Sequence, residues 1–394
     1  AKSRIIRGLT ALLDDYVPTI RDAEIPENPL APISPQACRL ARERGDALEI
    51  RWLSRDERYA EKLATPDVSI ADLIGEVDPI KVAEGRYLAD EETIHYGLIP
   101  RTNRGIFAVN ELPDLTEKVQ VGLFNLMEEK DFQVKGFKVR LPLDVIIVAS
   151  ANPEDYTSRG RIVTPLKDRF DVQIRTHYPR SIEEEISIME QEAAQFSHDG
   201  LIFHMPPFIK EICAQLTLEA RNSSEINQAS GVSVRMTISN FESVISNAEK
   251  RAIRLGEQKV VPRISDLHAL YPSTAGKIEL EYMGEEQKAE DLIERLVNGA
   301  VQKVFDKYLK VDNLQPIIEH FANGGGVEVS DMMPSQEYLE GMEHIEGLRE
   351  SLTRLGVDDH PSFLSSATEF ILEGLHLHQK LNKERAGGGQ TYRA

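Results

Sequence analysis

Two short apolar runs, at residues 105–109 (GIFAV) and 145–149 (VIIVA), contain no alternating polar positions. Such runs are typical of strands that are buried on both faces of a parallel sheet. Between them, residues 115–129 repeat apolar side chains at helical spacing and predict an amphipathic helix. The succession of strand, helix and strand predicts an α/β core. The apolar face of the predicted helix consists of Leu115, Val119, Leu123, Leu126 and Met127.

Further patterns follow this helix along the chain. Residues 131–142 (DFQVKGFKVRLP) alternate around a Lys-Gly pair, which predicts a β-hairpin with a glycine turn. Beyond Tyr178 the apolar spacing becomes helical, and it resumes after about residue 280. The segment AGGGQTYRA at the C-terminal end predicts a flexible tail, unless a partner orders it. The helical stretches are residues 182–196, 208–216, 238–252, 292–308 and 363–378.

Composition and charge limit the classes of partner that we expect this protein to bind. The 46 basic and 65 acidic residues give a net charge of −19, which argues against a general nucleic-acid-binding protein. No apolar run reaches the roughly 18 residues that a membrane-spanning helix needs, so we expect no membrane partner. Cys38 and Cys213 are too few for a disulfide framework or a zinc site, and we expect a reducing cytoplasm.

Polar residues directly follow both predicted strands. Asn110 and Glu111 end the first apolar run, and residues 150–152 end the second. Open parallel sheets bind ligands at the carboxyl ends of their strands, so this placement predicts a ligand site. At the start of the chain, Lys2 and Ser3 open a predicted helix, as the last two positions of the phosphate-binding pattern GxxxxGKS do.

Four segments in order resemble the AAA+ ATPases and, within them, the magnesium-chelatase I-subunit and MoxR group. The resemblance covers roughly residues 1–275 and implies an α/β fold with an AAA+ parallel-sheet nucleotide-binding core over residues 1–180. We expect the family's N-terminal strand and part of its phosphate loop to be absent from this core. A helical lid over residues 181–279 and an extra C-terminal helical region over residues 280–394 would follow. The four segments are DLIGEVDPIKV (72–82), GLIPRTNRGIFAVNELPDL (97–115), ASANPED (149–155) and PLKDRFD (165–171).

The resemblance implies which residues meet ATP and Mg²⁺. Lys2 would contact the β- and γ-phosphates, and Ser3 would bind the magnesium ion. Glu111 would be the Walker B acid that polarises the attacking water, a task that needs a carboxylate within hydrogen-bond reach. Asn152 would be the sensor 1 residue, whose amide orients the water or the γ-phosphate. The structural alternatives are a solvated acid at Glu111 and a turn residue before Pro153 at Asn152.

Two arginines complete the implied site. Arg169 would be an arginine finger that reaches the γ-phosphate held by a neighbouring subunit, so that hydrolysis depends on assembly. Arg161 and Arg159 are rival donors, and a salt bridge to an adjacent aspartate is the structural alternative. Arg235 matches the sensor 2 arginine at the start of a lid helix, with a solvated arginine as the alternative. A finger supplied by another chain implies a closed homo-oligomeric ring, which we expect to be a hexamer.

One position departs from the family pattern. The Walker B segment of the family usually reads Asp-Glu, and here Asn110 stands at the Asp position. An amide accepts a hydrogen bond from a metal-bound water, but it lacks the charge that holds the hydration shell of Mg²⁺. This substitution puts the magnesium affinity, and with it the rate of turnover, in question.

The sequence is compatible with two different functions. The first is an ATP-driven ring that remodels or assembles a protein or metal-insertion complex, with a von Willebrand A-type protein as partner. In that function the 131–142 hairpin would touch the substrate or the partner. The second function, which Asn110 favours, is a nucleotide-binding scaffold with weak or no hydrolysis. A transcription activator of the enhancer-binding type would carry a GAFTGA-like loop, which this sequence lacks.

Overall fold

The chain divides into two compact units, Ala1–Thr176 and His177–Ala394. The first boundary therefore lies slightly before the predicted one at residue 180. The predicted lid and the C-terminal region share the second unit. The computed structural model describes residues 2–78, 93–129, 131–134, 137–152, 160–198, 200–228, 230–281, 286–342, 344–386 and 389–394.

The first unit has an α/β architecture. Its helices are α1 (Lys2–Gly8), α2 (Pro35–Arg44), α3 (Ile70–Leu73), α4 (Leu98–Arg101), α5 (Glu117–Glu129) and α6 (Thr164–Asp168). Its strands are β1 (Tyr16–Ile20), β2 (Ile50–Ser54), β3 (Tyr59–Leu63), β4 (Gly75–Val77), β5 (Ile94–Tyr96), β6 (Gly105–Asn110), β7 (Asp131–Val134), β8 (Phe137–Arg140) and β9 (Val145–Ala149).

Three parallel strands form the central sheet in the order β3–β6–β9. Strand β6 is buried over residues 105–109, as its unalternated apolar run predicts. Phe107 and Val109 of this strand share one apolar core with Val119 and Leu123 of α5. The predicted strand, helix and α/β fold are thereby confirmed.

Strand β9 differs from its prediction. It was expected to be buried on both faces, but its residues are half-buried and Ile146 is 57% exposed. Within the described residues β9 pairs with β6 alone, so one edge of the strand lies open. The apolar run therefore correctly predicts a strand, but it does not predict that this strand lies at the edge of the described sheet.

The hairpin predicted over residues 131–142 is present. β7 and β8 pair in antiparallel register, with Phe132 opposite Val139 and Val134 opposite Phe137. The predicted turn at Lys135 and Gly136 lies outside the described residues.

The second unit is largely helical, as the apolar spacing predicts. None of the helices in the described ranges has the length and apolar content needed to cross a membrane. Its helices are α7 (Ile182–Glu192), α8 (Pro207–Asn222), α9 (Val234–Leu255), α10 (Leu270–Ala275), α11 (Glu286–Tyr308), α12 (Gln315–Ala322), α13 (Ser335–Met342), α14 (Leu348–Arg354) and α15 (Pro361–Leu377). Its strands are β10 (Ile202–Phe203), β11 (Lys259–Val260), β12 (Val327–Val329), β13 (Asn382–Ala386) and β14 (Gly389–Arg393).

The described part of the C-terminal segment, residues 386 and 389–394, is ordered, which corrects the expectation of a flexible tail. Strand β14 is the middle strand of a sheet with the order β12–β14–β13, so its main chain pairs on both sides. Tyr392 is 1% exposed, and its hydroxyl donates to the carboxylate of Glu373. Burial of this aromatic ring and two-sided pairing outweigh the flexibility of the neighbouring glycines.

A buried polar network joins the predicted lid to the C-terminal region. Arg263 is 0% exposed and donates to the main-chain oxygen of Met333 at 2.8 Å and to Ser335 Oγ at 2.6 Å. The main-chain N–H of Ser265 donates to Glu369 at 2.7 Å, and burial raises the pKa of this carboxyl. Buried charges need such partners, because unpaired ones would be strongly destabilising. These contacts explain why the two predicted regions form one unit.

We expect Gly374→Ala to destabilise the second unit. A Cβ at this position of α15 would lie 2.0 Å from the ring of Phe305 on α11, which is fully buried and cannot move aside. Overpacking of this kind costs about 1–3 kcal/mol. Gly299→Ala on α11 is the matched control, because a Cβ there meets no atom within 4 Å. It should stabilise the helix by about 0.5–1 kcal/mol. Urea unfolding of both variants tests this difference, and equal midpoints would contradict it.

Candidate functional site

Helix α1 brings Lys2 to the carboxyl end of β9. Lys2 Nζ donates a hydrogen bond to the main-chain oxygen of Ala151 at 2.7 Å. Further along α1, Arg7 Nε donates to Glu61 Oε2 at 2.9 Å, and the hydroxyl of Tyr59 donates to the same oxygen at 2.7 Å. The hydrogen bonds from Arg7 are the main cause that lowers the pKa of the Glu61 carboxyl. Since Glu61 belongs to β3, α1 is attached to one outer strand of the described central sheet and to the residues that directly follow the other.

A serine hydroxyl links the ends of β6 and β9. Ser150 Oγ accepts the main-chain N–H of Glu111 at 3.2 Å and donates to Asn110 Oδ1 at 3.4 Å. The main-chain N–H of Leu112 donates to the main-chain oxygen of Ser150 at 2.9 Å. The turn that carries Asn110 and Glu111 is therefore held against the neighbouring strand end.

The backbone of Glu111 is in the left-handed region, with φ 55° and ψ 51°. This conformation is uncommon for a residue with a side chain, and it costs on the order of 1–3 kcal/mol. It persists because the flanking hydrogen bonds to Ser150 fix the turn. Strain of this kind is concentrated at functional sites. The half-buried Glu111 side chain thus stands at a constrained position at the carboxyl end of β6.

Four of the residues singled out from the sequence converge on two adjacent strand ends. Asn152 is half-buried and directly follows Ala151, to which Lys2 donates. Asn110 and Glu111 lie at the end of the paired strand β6. A cation, an amide and an acid at adjacent carboxyl ends of parallel strands are residue types that phosphate-binding sites use.

Arg169 follows α6 and forms an ion pair within its own chain. Its Nη2 contacts the carboxylate of Glu128 on α5, and its Nη1 donates to the main-chain oxygen of Pro165 at 3.0 Å. The side chain of Arg169 is 25% exposed. Glu128 on α5 is therefore an ion-pair partner of Arg169, in addition to the adjacent aspartates that the sequence suggested.

A buried amide on α5 holds the segment that leads to Arg169. Gln120 is 1% exposed. Its Nε2 donates to the main-chain oxygens of Leu115 at 2.9 Å and Arg161 at 3.1 Å, and its Oε1 accepts the N–H of Val163 at 2.9 Å. Arg161, the alternative candidate for the arginine finger, has an exposed side chain, and Gln120 fixes its main chain. Arg159 lies outside the described residues.

Arg235 belongs to the second unit and stands in the first turn of α9. Ser233 caps this helix, and its Oγ accepts the main-chain N–H of Arg235 at 3.2 Å. The Arg235 side chain is exposed. The predicted location at a helix start is confirmed, while its sensor 2 role stays a prediction.

Sequence reasoning missed Ser150, Gln120 and Glu128 as partners of the candidate residues. Gln120 left a signal, since it is a polar residue beside Val119 and Leu123 on the apolar face of α5. Ser150 and Glu128 have no such signal in the sequence, because a serine after a strand and an acid at a helix end are common in proteins. Their partners are brought to them only by the pairing of β6 with β9 and the packing of α6 on α5.

The residues at these strand ends fit a nucleotide with Mg²⁺ in chemical type. Asn110 and Glu111 at the strand ends, and Ser3 on α1, offer amide, carboxylate and hydroxyl oxygens, which Mg²⁺ prefers over nitrogen or sulfur. The Lys2 ammonium group, placed by its contact with Ala151, supplies the positive charge that phosphates need.

Comparison with known proteins gives matches over part of the chain. Residues 82–172 match the family model of the sigma-54 interaction domain. The archaeal Lon protease of Thermococcus kodakarensis is 28% identical over 166 residues, which is 38% of this chain and 25% of the relative. The archaeal Lon protease of Pyrococcus abyssi is 25% identical over 223 residues, or 53% of this chain and 21% of the relative. The chain thus spans about a quarter or less of these relatives.

Solved structures also resemble the chain, at low similarity. A complex between the BchI and BchD subunits of magnesium chelatase is 17% identical, with 74% of this chain and 88% of that chain covered and a TM-score of 0.34. NtrX from Brucella abortus is 17% identical, with 63% of this chain and 52% of that chain covered and a TM-score of 0.38. The fold assignment rests on the β3–β6–β9 sheet and on the family match, because these TM-scores are low.

Proposed function

We propose that this chain, an AAA+ ATPase, hydrolyses ATP at the ends of β6 and β9 as a member of the magnesium-chelatase I-subunit and MoxR group. The observation that carries the proposal is the hydrogen bond from Lys2 to Ala151. It holds a cation at the strand end that also carries Asn152 and that Ser150 ties to Glu111. A positive charge at this position can bind a phosphate group of the nucleotide.

Each residue of the site then has a distinct task. Lys2 binds the terminal phosphates of ATP, and Asn152 orients the attacking water. Glu111 accepts a proton from that water as it attacks the γ-phosphorus, and the bond from this phosphorus to the β,γ-bridging oxygen breaks, so that ADP and inorganic phosphate are released. Ser3 and Asn110 would hold Mg²⁺, which when bound neutralises charge on the phosphate oxygens. Arg235 would be the sensor 2 arginine, which adds a second positive charge.

The proposed active form is a closed homo-oligomeric ring, a hexamer, in which Arg169 serves the site of a neighbouring subunit. The ion pair with Glu128 supports this role, because it keeps Arg169 at the surface in a single chain rather than in the core. The Glu128 side chain is 54% exposed, and an ion pair at the protein surface contributes only about 0–1 kcal/mol, so a neighbouring phosphate would displace Glu128. The ring would remodel or assemble a protein or metal-insertion complex, with a von Willebrand A-type protein as partner.

A nucleotide-binding scaffold with weak hydrolysis is the second candidate, and Asn110 favours it. The Asn110 amide oxygen accepts a hydrogen bond from Ser150, so one of its lone pairs is already engaged. The sigma-54 match does not extend to an activator function, because the sequence has no GAFTGA-like loop. The protease name of the archaeal relatives is likewise not carried over, since this chain spans so little of them.

Asn110→Asp should increase the affinity for Mg²⁺ about tenfold, as measured by the Mg²⁺ concentration that gives half-maximal ATP hydrolysis. One added negative charge close to the ion is worth roughly 1–4 kcal/mol at the surface of a protein. The carboxylate still accepts the Ser150 hydroxyl. Asn222→Asp, at the exposed end of α8, adds the same charge elsewhere and should change nothing.

Steady-state ATP hydrolysis by the full-length protein tests the proposed function itself. Turnover that needs Mg²⁺ and is lost in Lys2→Ala would support an ATPase. Saturable ATP binding without turnover in both wild type and Asn110→Asp would instead support the scaffold.

A further inference from the structure

The turn that carries Glu111 is held along its whole length, and its first part is held by Ser150. The main-chain N–H of Glu111 donates to Ser150 Oγ at 3.2 Å, and that of Leu112 donates to the main-chain oxygen of Ser150 at 2.9 Å. Ser150 is 5% exposed and Leu112 is 1% exposed, so water does not compete for these bonds. One residue thus fixes two successive N–H groups of the turn.

The middle of the turn lies against Gly160. A Cβ on Gly160 would be 2.4 Å from the main-chain oxygen of Pro113. Because this oxygen belongs to the main chain, the turn itself would have to move to make room for a side chain. Gly160 also has φ +148°, a conformation that residues with a side chain rarely adopt. The close approach and the backbone conformation therefore both require glycine at this position.

The end of the turn is bound to the residues that follow Gly160. Gln120 donates to the main-chain oxygens of Leu115 at 2.9 Å and Arg161 at 3.1 Å, and it accepts the N–H of Val163 at 2.9 Å. Leu115 is the residue at which the turn ends. An apolar side chain in place of this buried amide would leave these groups without partners, which is costly.

The contacts with the turn come from two parts of the chain after β9, residues 150–152 and 160–163. The first of these parts also carries Asn152. Glu111 and Asn152 are proposed to act on the same water, so the rate depends on the placement of one side chain relative to the other. The left-handed backbone of Glu111 is unfavourable by itself and persists only where surrounding contacts impose it.

We propose that Ser150 and Gly160 are positioning residues for ATP hydrolysis, which hold the Glu111 turn between them and thereby fix the Glu111 carboxylate relative to Asn152. The inference rests on the proposed ATPase function. All four residues belong to the first unit. Ser150 and Gly160 act through Glu111, so their loss should change the chemical step and leave nucleotide binding as it is.

ATP hydrolysis and binding of a fluorescent ADP analogue with MgCl₂, both measured on the full chain, test the proposal. Gly160→Ala should lower kcat about 10- to 100-fold, the effect of a shift of roughly 1 Å in a catalytic group. The dissociation constant of the analogue should stay at the wild-type value. Gly45→Ala is the matched control, because Gly45 also has a positive φ, +51°, but a Cβ there meets no atom within 4 Å. It should retain the wild-type kcat.

A merely structural role predicts a different pattern. It would lower the fraction of folded protein, so that kcat and the amount of bound analogue fall together. In a Glu111→Gln background, Gly160→Ala should not lower the residual single-turnover rate further, because its action passes through Glu111. If Gly160→Ala does not fold, Ser150→Ala replaces it in the same measurements, since it removes only the hydroxyl that accepts the Glu111 N–H.

The positioning role and the proposed function fail in different ways. An unchanged kcat in the folded variant, an equal loss of kcat and bound analogue, or losses that multiply in the Glu111→Gln background would overturn the positioning role and leave the ATPase standing. A wild-type chain without Mg²⁺-dependent ATP turnover would overturn the proposed function, and the positioning role with it.

Discussion

Glu111→Gln should lower ATP turnover by about two to four orders of magnitude while nucleotide binding persists. This is the usual contribution of a positioned general base. The amide preserves the size of the side chain and cannot accept the proton of the attacking water. The turn should be unchanged, because the bonds that fix it run from the main chain of Glu111 and Leu112 to Ser150. Multiple-turnover hydrolysis and binding of a fluorescent ADP analogue, measured on the same preparation, check both halves of this result.

The matched control for Glu111 is Glu117→Gln. Glu117 is an exposed acid in the first turn of α5, a few residues away on the same connection. Its loss removes a favourable interaction with the helix dipole of about 0.3–1 kcal/mol and no catalytic group. If both variants lost turnover to the same extent, the general-base role of Glu111 would be wrong.

Arg169→Ala should lower the turnover number of the assembled protein by about three orders of magnitude or more, as expected for loss of an arginine finger. Affinity for nucleotide should change little, because the finger acts on charge that develops during transfer. Glu128→Gln also breaks the Arg169 ion pair but keeps the arginine, so it should retain at least wild-type turnover. Equal losses in the two variants would mean that the ion pair, rather than the finger, supports activity.

The buried part of the core could be predicted from the sequence, and its edges could not. The run at residues 105–109 correctly predicts strand β6, because a strand that is buried on both faces has apolar residues at every position. The similar run at residues 145–149 correctly predicts strand β9, but it does not predict that Ile146 is exposed. The exposure of a side chain depends on which residues pack against the strand. The C-terminal segment was expected to be flexible from its glycines, and the burial of Tyr392 against Glu373 overrode that local signal.

Candidate residues were recognisable where a motif combines residue type with a strand end. Glu111 and Asn152 were named this way and Lys2 was named from a helix start, and the structure brings their segments to adjacent strand ends. The supporting partners of the candidate residues were not recognisable, because contacts such as Glu111 to Ser150 and Arg161 to Gln120 join residues roughly 40 positions apart. Spacing along the chain carries no information about such contacts, whereas tertiary packing determines them.

The central claim, an ATPase site completed by a neighbouring subunit, is tested most directly by combining two inactive variants. Glu111→Gln and Arg169→Ala, co-expressed with different affinity tags and purified through both, should recover a measurable fraction of wild-type ATP hydrolysis. In mixed rings some sites then have Glu111 from one subunit and Arg169 from its neighbour. Turnover in the doubly purified mixture, with none in either variant alone, is the predicted result. A doubly purified complex that stays as inactive as its components would contradict the account.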